Sequence, residues 1–175
     1  METKLKIITW PNQFLRKKCK KVKSVDESIR KIFNEMRLLL IEANGVGLAA
    51  NQVGLDMRLA IIELEDKIFK MINPCITKRE GKTKFLEGCL SFPELEVEVN
   101  RSKKVWVSYL NEHGEPIDLE LDGVLSIIFQ HEIDHLDGIL LTSRLPLLRR
   151  LKIAPKLKEI KKITKNELSK HSKKS

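Results

Sequence analysis

The chain has no apolar run that approaches the roughly 20 residues of a membrane span, which excludes an ordinary helical membrane protein. Its first residues, Met1-Glu2-Thr3-Lys4-Leu5-Lys6, lack a signal-peptide core, and the acidic residues that follow soon after argue against a transit peptide. Cysteine is scarce. Cys19, Cys75 and Cys89 are odd in number and fall at no framework spacing, so a disulfide scaffold is excluded and reduced thiols in a cytoplasmic protein are expected. The stretch Gly45-Val46-Gly47-Leu48-Ala49-Ala50-Asn51-Gln52-Val53-Gly54 is rich in small residues but lacks the Walker lysine and the dinucleotide spacing. Small residues there let another backbone approach closely, and the segment reads as a structural turn. There is no internal repeat and no low-complexity linker.

What is present is an ordinary soluble composition, 42% hydrophobic over 175 residues, enough for one domain with a core and an appendage. The net charge of +9 is uneven: Arg144 to Ser175 holds twelve lysines and arginines against Glu159 and Glu167. That tail has room to bind a polyanion, whereas the body is close to neutral.

Ser24 and Asp26 offer caps for an amphipathic helix that runs to Ala43, with Ile29, Ile32, Phe33, Met36, Leu39 and Leu40 at helical spacing. Residues 59–64 and 68–72 read as paired strands ending at Asn73-Pro74, and 85–93 as a tight irregular piece. Residues 95–99 and 105–109 alternate like half-buried strands, and 117–121 completes a hairpin. Strands segregated from a few helices define an α+β fold, with antiparallel sheets packed around a buried helix and a C-terminal helical extension. The extension carries narrow apolar faces interrupted by Pro155, which is expected to break or kink it, and Ser169 to Ser175 have nothing to bury.

The buried helix follows Asp122-Gly123. Val124-Leu125-Ser126-Ile127-Ile128-Phe129 is apolar almost all round, and Gln130-His131-Glu132-Ile133-Asp134-His135 follows directly. His131 and His135, four residues apart, stand on one face and can close on one metal, with Glu132 beside them to take a proton from a water. The bland alternative is a pair of core histidines satisfied by hydrogen bonds. A catalytic metal also needs a third ligand. The pattern with a further histidine fails at Leu141, which leaves Glu159, set among lysines, and Cys89, in a Gly-Cys turn. The residues alone do not choose between these two.

Three segments, Gly45-Val46-Gly47-Leu48-Ala49-Ala50-Asn51-Gln52, Glu87-Gly88-Cys89-Leu90-Ser91 and Gln130-His131-Glu132-Ile133-Asp134-His135, resemble the signature motifs of the peptide deformylases in order and spacing. Trp10-Pro11-Asn12 with Leu15-Arg16 is similar to that family's amino-terminal segment, and the likeness covers roughly residues 5 to 150.

The resemblance implies a catalytic domain over 1–147 and a basic extension over 148–175. It implies hydrolysis of the formyl group from the N-formylmethionine of newly made chains, releasing formate. Cys89, His131 and His135 would hold one Fe²⁺ per chain, with Zn²⁺, Ni²⁺ or Co²⁺ as substitutes. Glu132 would be the general base, and the Gln52 amide and the Leu90 N–H would steady the oxyanion. A nascent peptide would lie between Gly45-Val46-Gly47 and Gly88, its methionine among Val46, Phe85, Gly88, Val124, Ile127 and Ile128. Glu87 and Arg101 would brace the cysteine loop, and Asp134 would hold groups around the histidine helix. The implied protein is a cytoplasmic monomer, with ribosome contact through the basic tail. Two departures from the family pattern stand out: Glu96, where many relatives carry an arginine near the substrate entrance, and Pro155 in the tail.

Overall fold

A computed structural model describes residues 5–171, with side chains as far as residue 165. The ends, 1–4 and 172–175, lie outside the described residues, so the amino-terminal reading and most of the unburied tail at 169–175 fall there. Helix α1 spans Glu27–Glu42, and the Asp26 carboxylate caps it by accepting from the backbone N–H groups of Ser28 and Ile29. Strands β1 (Gly47–Ala49), β2 (Leu59–Leu64) and β3 (Lys67–Glu80) follow, then β4 (Thr83–Cys89), β5 (Phe92–Arg101), β6 (Lys104–Leu110) and β7 (Pro116–Asp122). Helix α2 covers Gly123–Leu136 and α3 Leu147–His171. All pairings are antiparallel, in a five-stranded sheet ordered β1-β2-β3-β6-β7 and a separate β4-β5 ribbon. The α+β class read from the sequence is the class observed.

Strand β2 is the hinge of the packing. Its Leu59 and Ile61 face α1, against Phe33, Met36 and Leu40. Its Ala60 and Ile62 face α2, where Phe129, Ile133 and Leu136 meet Met71, Val105 and Val107 from β3 and β6. A strand covered on both faces reads as a continuous apolar run, as Leu59-Ala60-Ile61-Ile62 does. Helix α2 thus presses one side into the sheet and turns the other, bearing His131 and His135, toward the β4-β5 ribbon. A third cluster joins that ribbon (Phe92, Leu95, Val97, Val99) to Leu15, Leu140, Leu141, Leu145 and Ile160.

Three local readings change. Strand β3 does not stop at Asn73-Pro74: Asn73 takes a left-handed φ of 55°, and the register shifts between Ile72 and Cys75. That bulge carries β3 past the proline and lets it pair with β2 in its first half and β6 in its second. The piece at 85–93 keeps its irregularity, a register shift between Glu87 and Cys89 and a tight turn at Leu90-Ser91, but that turn joins two paired strands, β4 and β5. Pro155 does not divide α3, which is one helix of 25 residues. Pro155 and Leu151 are both exposed, so water can satisfy the Leu151 carbonyl that lacks an N–H partner. Helix α3 also packs on the body. Ile160 is buried, and the Thr164 hydroxyl donates to the Trp10 carbonyl at 3.0 Å.

Helix α2 ends against the amino-terminal segment, where Gly138 adopts φ 72°. A Cβ there would sit 2.3 Å from the Arg16 carbonyl oxygen, a backbone atom with no room to retreat. We expect Gly138→Ala to cost about 2–4 kcal/mol, from the strained φ plus the clash. At roughly 2–4 °C per kcal/mol for a chain of this size, the thermal midpoint should fall by several degrees, and an unchanged midpoint would refute the close approach.

Candidate metal centre

The β4-β5 ribbon delivers the sulfur. The register shift before Cys89 turns its Sγ inward, where it lies 3.2 Å from His135 Nε2. His135 Nε2 is in turn 3.2 Å from His131 Nε2. The three donor atoms fall within 4.8 Å of one another, close enough for one ion to touch all three. Glu159, the other candidate third ligand, instead pairs with Lys156 at 3.1 Å on α3. Cys89, His131 and His135 form the metal site.

Behind the donors runs a chain of buried charges. The Glu87 carboxylate lies 2.9 Å from His131 Nδ1 and takes both arms of the Arg101 guanidinium, at 2.7 and 2.8 Å. Arg101 also donates to Asp134 at 2.5 Å, and Asp134 accepts from Arg144 as well. Burial would raise the Glu87 pKa, but the Arg101 fork and the His131 ring overturn that and hold it at about 2. Burial, then the His131 ring and Arg101, press His135 well below its usual value and keep it neutral, the form that ligates a metal. Burial opposes charge on His131 too, yet the Cys89 sulfur and Glu87 outweigh it and raise its pKa well above normal. Donors that draw a proton onto a buried imidazole suit a divalent cation, which would take that proton's place.

Glu132 stands on the cavity side of the rings. Burial pushes its carboxyl to about 7, with Glu87 and Asp134 adding to the rise against His131 and Arg101. Its Oε2 is buried and has no hydrogen-bond partner among the described residues. Gly47 of β1 is why it fits: a Cβ at Gly47 would lie 2.3 Å from Glu132 Oε1. Gln52 accepts from the Ala49 N–H through Oε1 at 2.9 Å, which aims Nε2 at Ser91 Oγ (3.1 Å) and toward the Cys89 sulfur (3.7 Å).

These groups open into a cavity of about 500 Å³ whose walls include Gly45, Val46, Gly47, Gln52, Phe85, Gly88, Leu90, Ile127, Ile128, His131 and Glu132. Val124, read as part of the methionine pocket, does not line it and stands half exposed one helical turn away. Arg101 and Asp134 lie behind the donors rather than in the cavity, as bracing residues should. Several polar supports escaped the sequence reading. Asn51 donates to the His135 carbonyl at 2.5 Å, Arg144 grips Asp134, and Gln130 accepts from the Ser102 N–H at 2.9 Å. Asn51 and Gln130 lay inside the quoted motifs. Arg144 carried no local signal, because its partner is ten residues away across a turn.

A cysteine sulfur and two imidazoles beside a buried carboxylate, at the floor of a peptide-sized cleft, define a mononuclear metallohydrolase centre. The polypeptide deformylase family model matches residues 4–151. The chain is 44% identical over 165 residues to a peptide deformylase of Aquifex aeolicus, covering 91% of this chain and 98% of that protein. It is 42% identical to one from Neisseria meningitidis, with the same coverage. The crystal structure of peptide deformylase from Thermus thermophilus superposes with a TM-score of 0.84 at 39% identity, covering 90% of this chain and 98% of that one. One from Legionella pneumophila gives 0.86 at 36% identity, covering 92% and 97%. The chain belongs to the polypeptide deformylase family.

If Glu87 sets the orientation and basicity of His131, Glu87→Gln should lower metal affinity about 10- to 100-fold, read by competition with a chromophoric chelator. Equal affinity would mean that the carboxylate serves the fold alone.

Proposed function

We propose that this chain removes the formyl group from the N-terminal formylmethionine of newly made proteins, adding water across the formamide to give formate and a free amine. The observation that carries the reading is Glu132: a carboxylate oxygen with no hydrogen-bond partner among the described residues, buried beside the donor set and facing a cleft that fits an extended peptide. Cys89, His131 and His135 would hold one divalent ion, Fe²⁺ in our reading with Zn²⁺, Ni²⁺ or Co²⁺ as substitutes. When bound, it supplies Lewis acidity that makes a water acidic enough to attack near neutral pH.

Glu132 takes the proton of the attacking water at its free oxygen and returns it to the departing amine, so no covalent enzyme intermediate is required. The Gln52 side-chain amide, fixed by its bond from Ala49, and the backbone N–H of Leu90 stand ready for the negative oxygen that develops on the formyl group. Substrate backbone lies between Gly45-Val46-Gly47 and the Gly88 segment, adding a strand. The methionine side chain enters among Val46, Phe85, Gly88, Ile127 and Ile128. Glu87, Arg101 and Asp134 hold the ligand helix against the cysteine ribbon. We read the protein as a cytoplasmic monomer whose catalytic domain covers 1–147. No helix of the described residues is long and apolar enough to cross a membrane.

Formate release from formyl-Met-Ala-Ser by protein loaded anaerobically with Fe²⁺ tests the reading; no formate would sink it. Glu132→Gln should keep the metal and lose about 10²–10⁴ in kcat, the usual weight of a general base. Wild-type turnover in a metal-replete Glu132→Gln protein would remove that role.

The basic extension, 148–175, suits the ribosomal RNA surface from which nascent chains emerge. Lys158, Lys161 and Lys162 are exposed, whereas Ile160 between them is buried, so reversing the charges tests docking without disturbing the core. Changing all three to Glu should weaken co-sedimentation with ribosomes at low salt and preserve hydrolysis of short formyl peptides. Unchanged sedimentation would reject the tail as a docking element.

A further inference from the structure

The outer face of β5 carries three glutamates near the mouth of the cavity, and two of them are neutralised from within the chain. Glu94 pairs with Lys156 of α3 at 2.8 Å. Glu98 pairs with Arg149 at 3.0 Å and with Lys84 of β4 at 3.5 Å. Glu96, between them, is exposed and has no ion pair or hydrogen bond among the described residues, yet it lines the cavity. Its stem lies over the backbone of Gly88: Glu96 Cγ is the nearest atom that a Cβ on Gly88 would meet, at 3.9 Å. Gly88 and the Glu96 stem thus lie side by side in the cavity wall.

The remaining charge around the cavity makes Glu96 distinct. Glu87 is locked by Arg101, and Glu132 is enclosed at the floor. Among the described residues no lysine or arginine lines the cavity. A peptide threaded past this rim meets one uncompensated carboxylate and no cation. A basic side chain beyond the formylated residue gains a partner there, and an acidic one meets repulsion.

We infer that Glu96 is a specificity-determining residue that favours substrates with lysine or arginine in the first residues after formylmethionine, and disfavours aspartate or glutamate there. The inference rests on the deformylase reading. Because the rim is solvated, the effect is modest and salt-sensitive, and it falls in KM rather than kcat.

The test compares C-terminally amidated formyl-Met-Lys-Ala, formyl-Met-Gln-Ala and formyl-Met-Glu-Ala, with the same three residues also placed third. Full-length Fe²⁺-loaded protein is assayed at low salt and again at about 0.5 M, where the Debye length shrinks to a few ångströms. Wild type should prefer the Lys over the Glu peptide about two- to ten-fold in kcat/KM at one of the two positions, through KM, and lose most of that preference in salt. Glu96→Gln should bring the ratio close to one, and Glu96→Lys should invert it. A wild-type ratio of one at both positions, or a ratio that survives in Glu96→Gln, overturns the inference. Formate from all peptides at equal rates would sink this inference alone, whereas formate from none would sink the deformylase reading with it.

Discussion

Carrying ionised groups into a hydrophobic interior is the constraint that organises this molecule. Helix α2 buries its apolar side in the sheet, so Glu132, Asp134 and both histidines leave water with it. An isolated carboxylate in such a place is untenable, and each buried charge has to find a counter-charge or lose its own. The solution is a line from Arg144 through Asp134, Arg101 and Glu87 to His131, alternating in sign and spanning four separate pieces of chain. Removing one member would strand its neighbour in low dielectric, which is why the line acts as a unit. Glu132 is the exception: it stays beside the line without a cationic hydrogen-bond partner, and burial shifts its pKa instead.

The line also explains why the ligands come from two elements that share no sheet. The ribbon β4-β5 is not hydrogen-bonded to the five-stranded sheet. Arg101 and Glu87 reach from it across to Asp134 and His131 of α2, while an apolar cluster ties its other side to Leu141, Leu145 and Ile160, beyond the end of that helix. The same contacts that neutralise buried charge therefore fix the distance from Cys89 to the two rings. Helix α3 helps close that cluster, so the basic extension is part of the scaffold of the site as well as a surface.

Much of this was legible in the residue order, for reasons that differ element by element. Helix α1 announced itself by a cap at Asp26 and apolar residues at helical spacing, β5 and β6 by alternation, and β7 by the turn that precedes it, because all these signals are local. His131 and His135 were legible because a helix converts a separation of four into adjacency. Cys89 was not, since its partner lies 42 or more residues away and a buried cysteine otherwise looks like any small apolar residue; family likeness, not spacing, singled it out. Strand β3 was cut short at Asn73-Pro74 because a proline normally ends a strand, and only the pairing with β6 shows that a bulge carries it through. Arg144, the far end of the charge line, gave no sign in advance, since an arginine in a basic tail looks like solvated charge until Asp134 is found opposite it.

The small residues of the two glycine-bearing motifs separate into different physical roles. At Gly47 the demand is internal: any Cβ would occupy the place of the Glu132 carboxylate, so a residue of β1 is chosen for the sake of a residue on α2. At Gly45 a Cβ would press on the ends of Leu40 and Leu90, flexible atoms that can shift. At Gly88 the chain itself imposes almost nothing, because the nearest atoms stand at ordinary contact distance. A glycine that its own fold does not require is free to serve what enters the cavity, whose wall it shares with Glu96. The first motif is thus constrained by the Glu132 carboxylate, and the second leaves open space in the cavity wall.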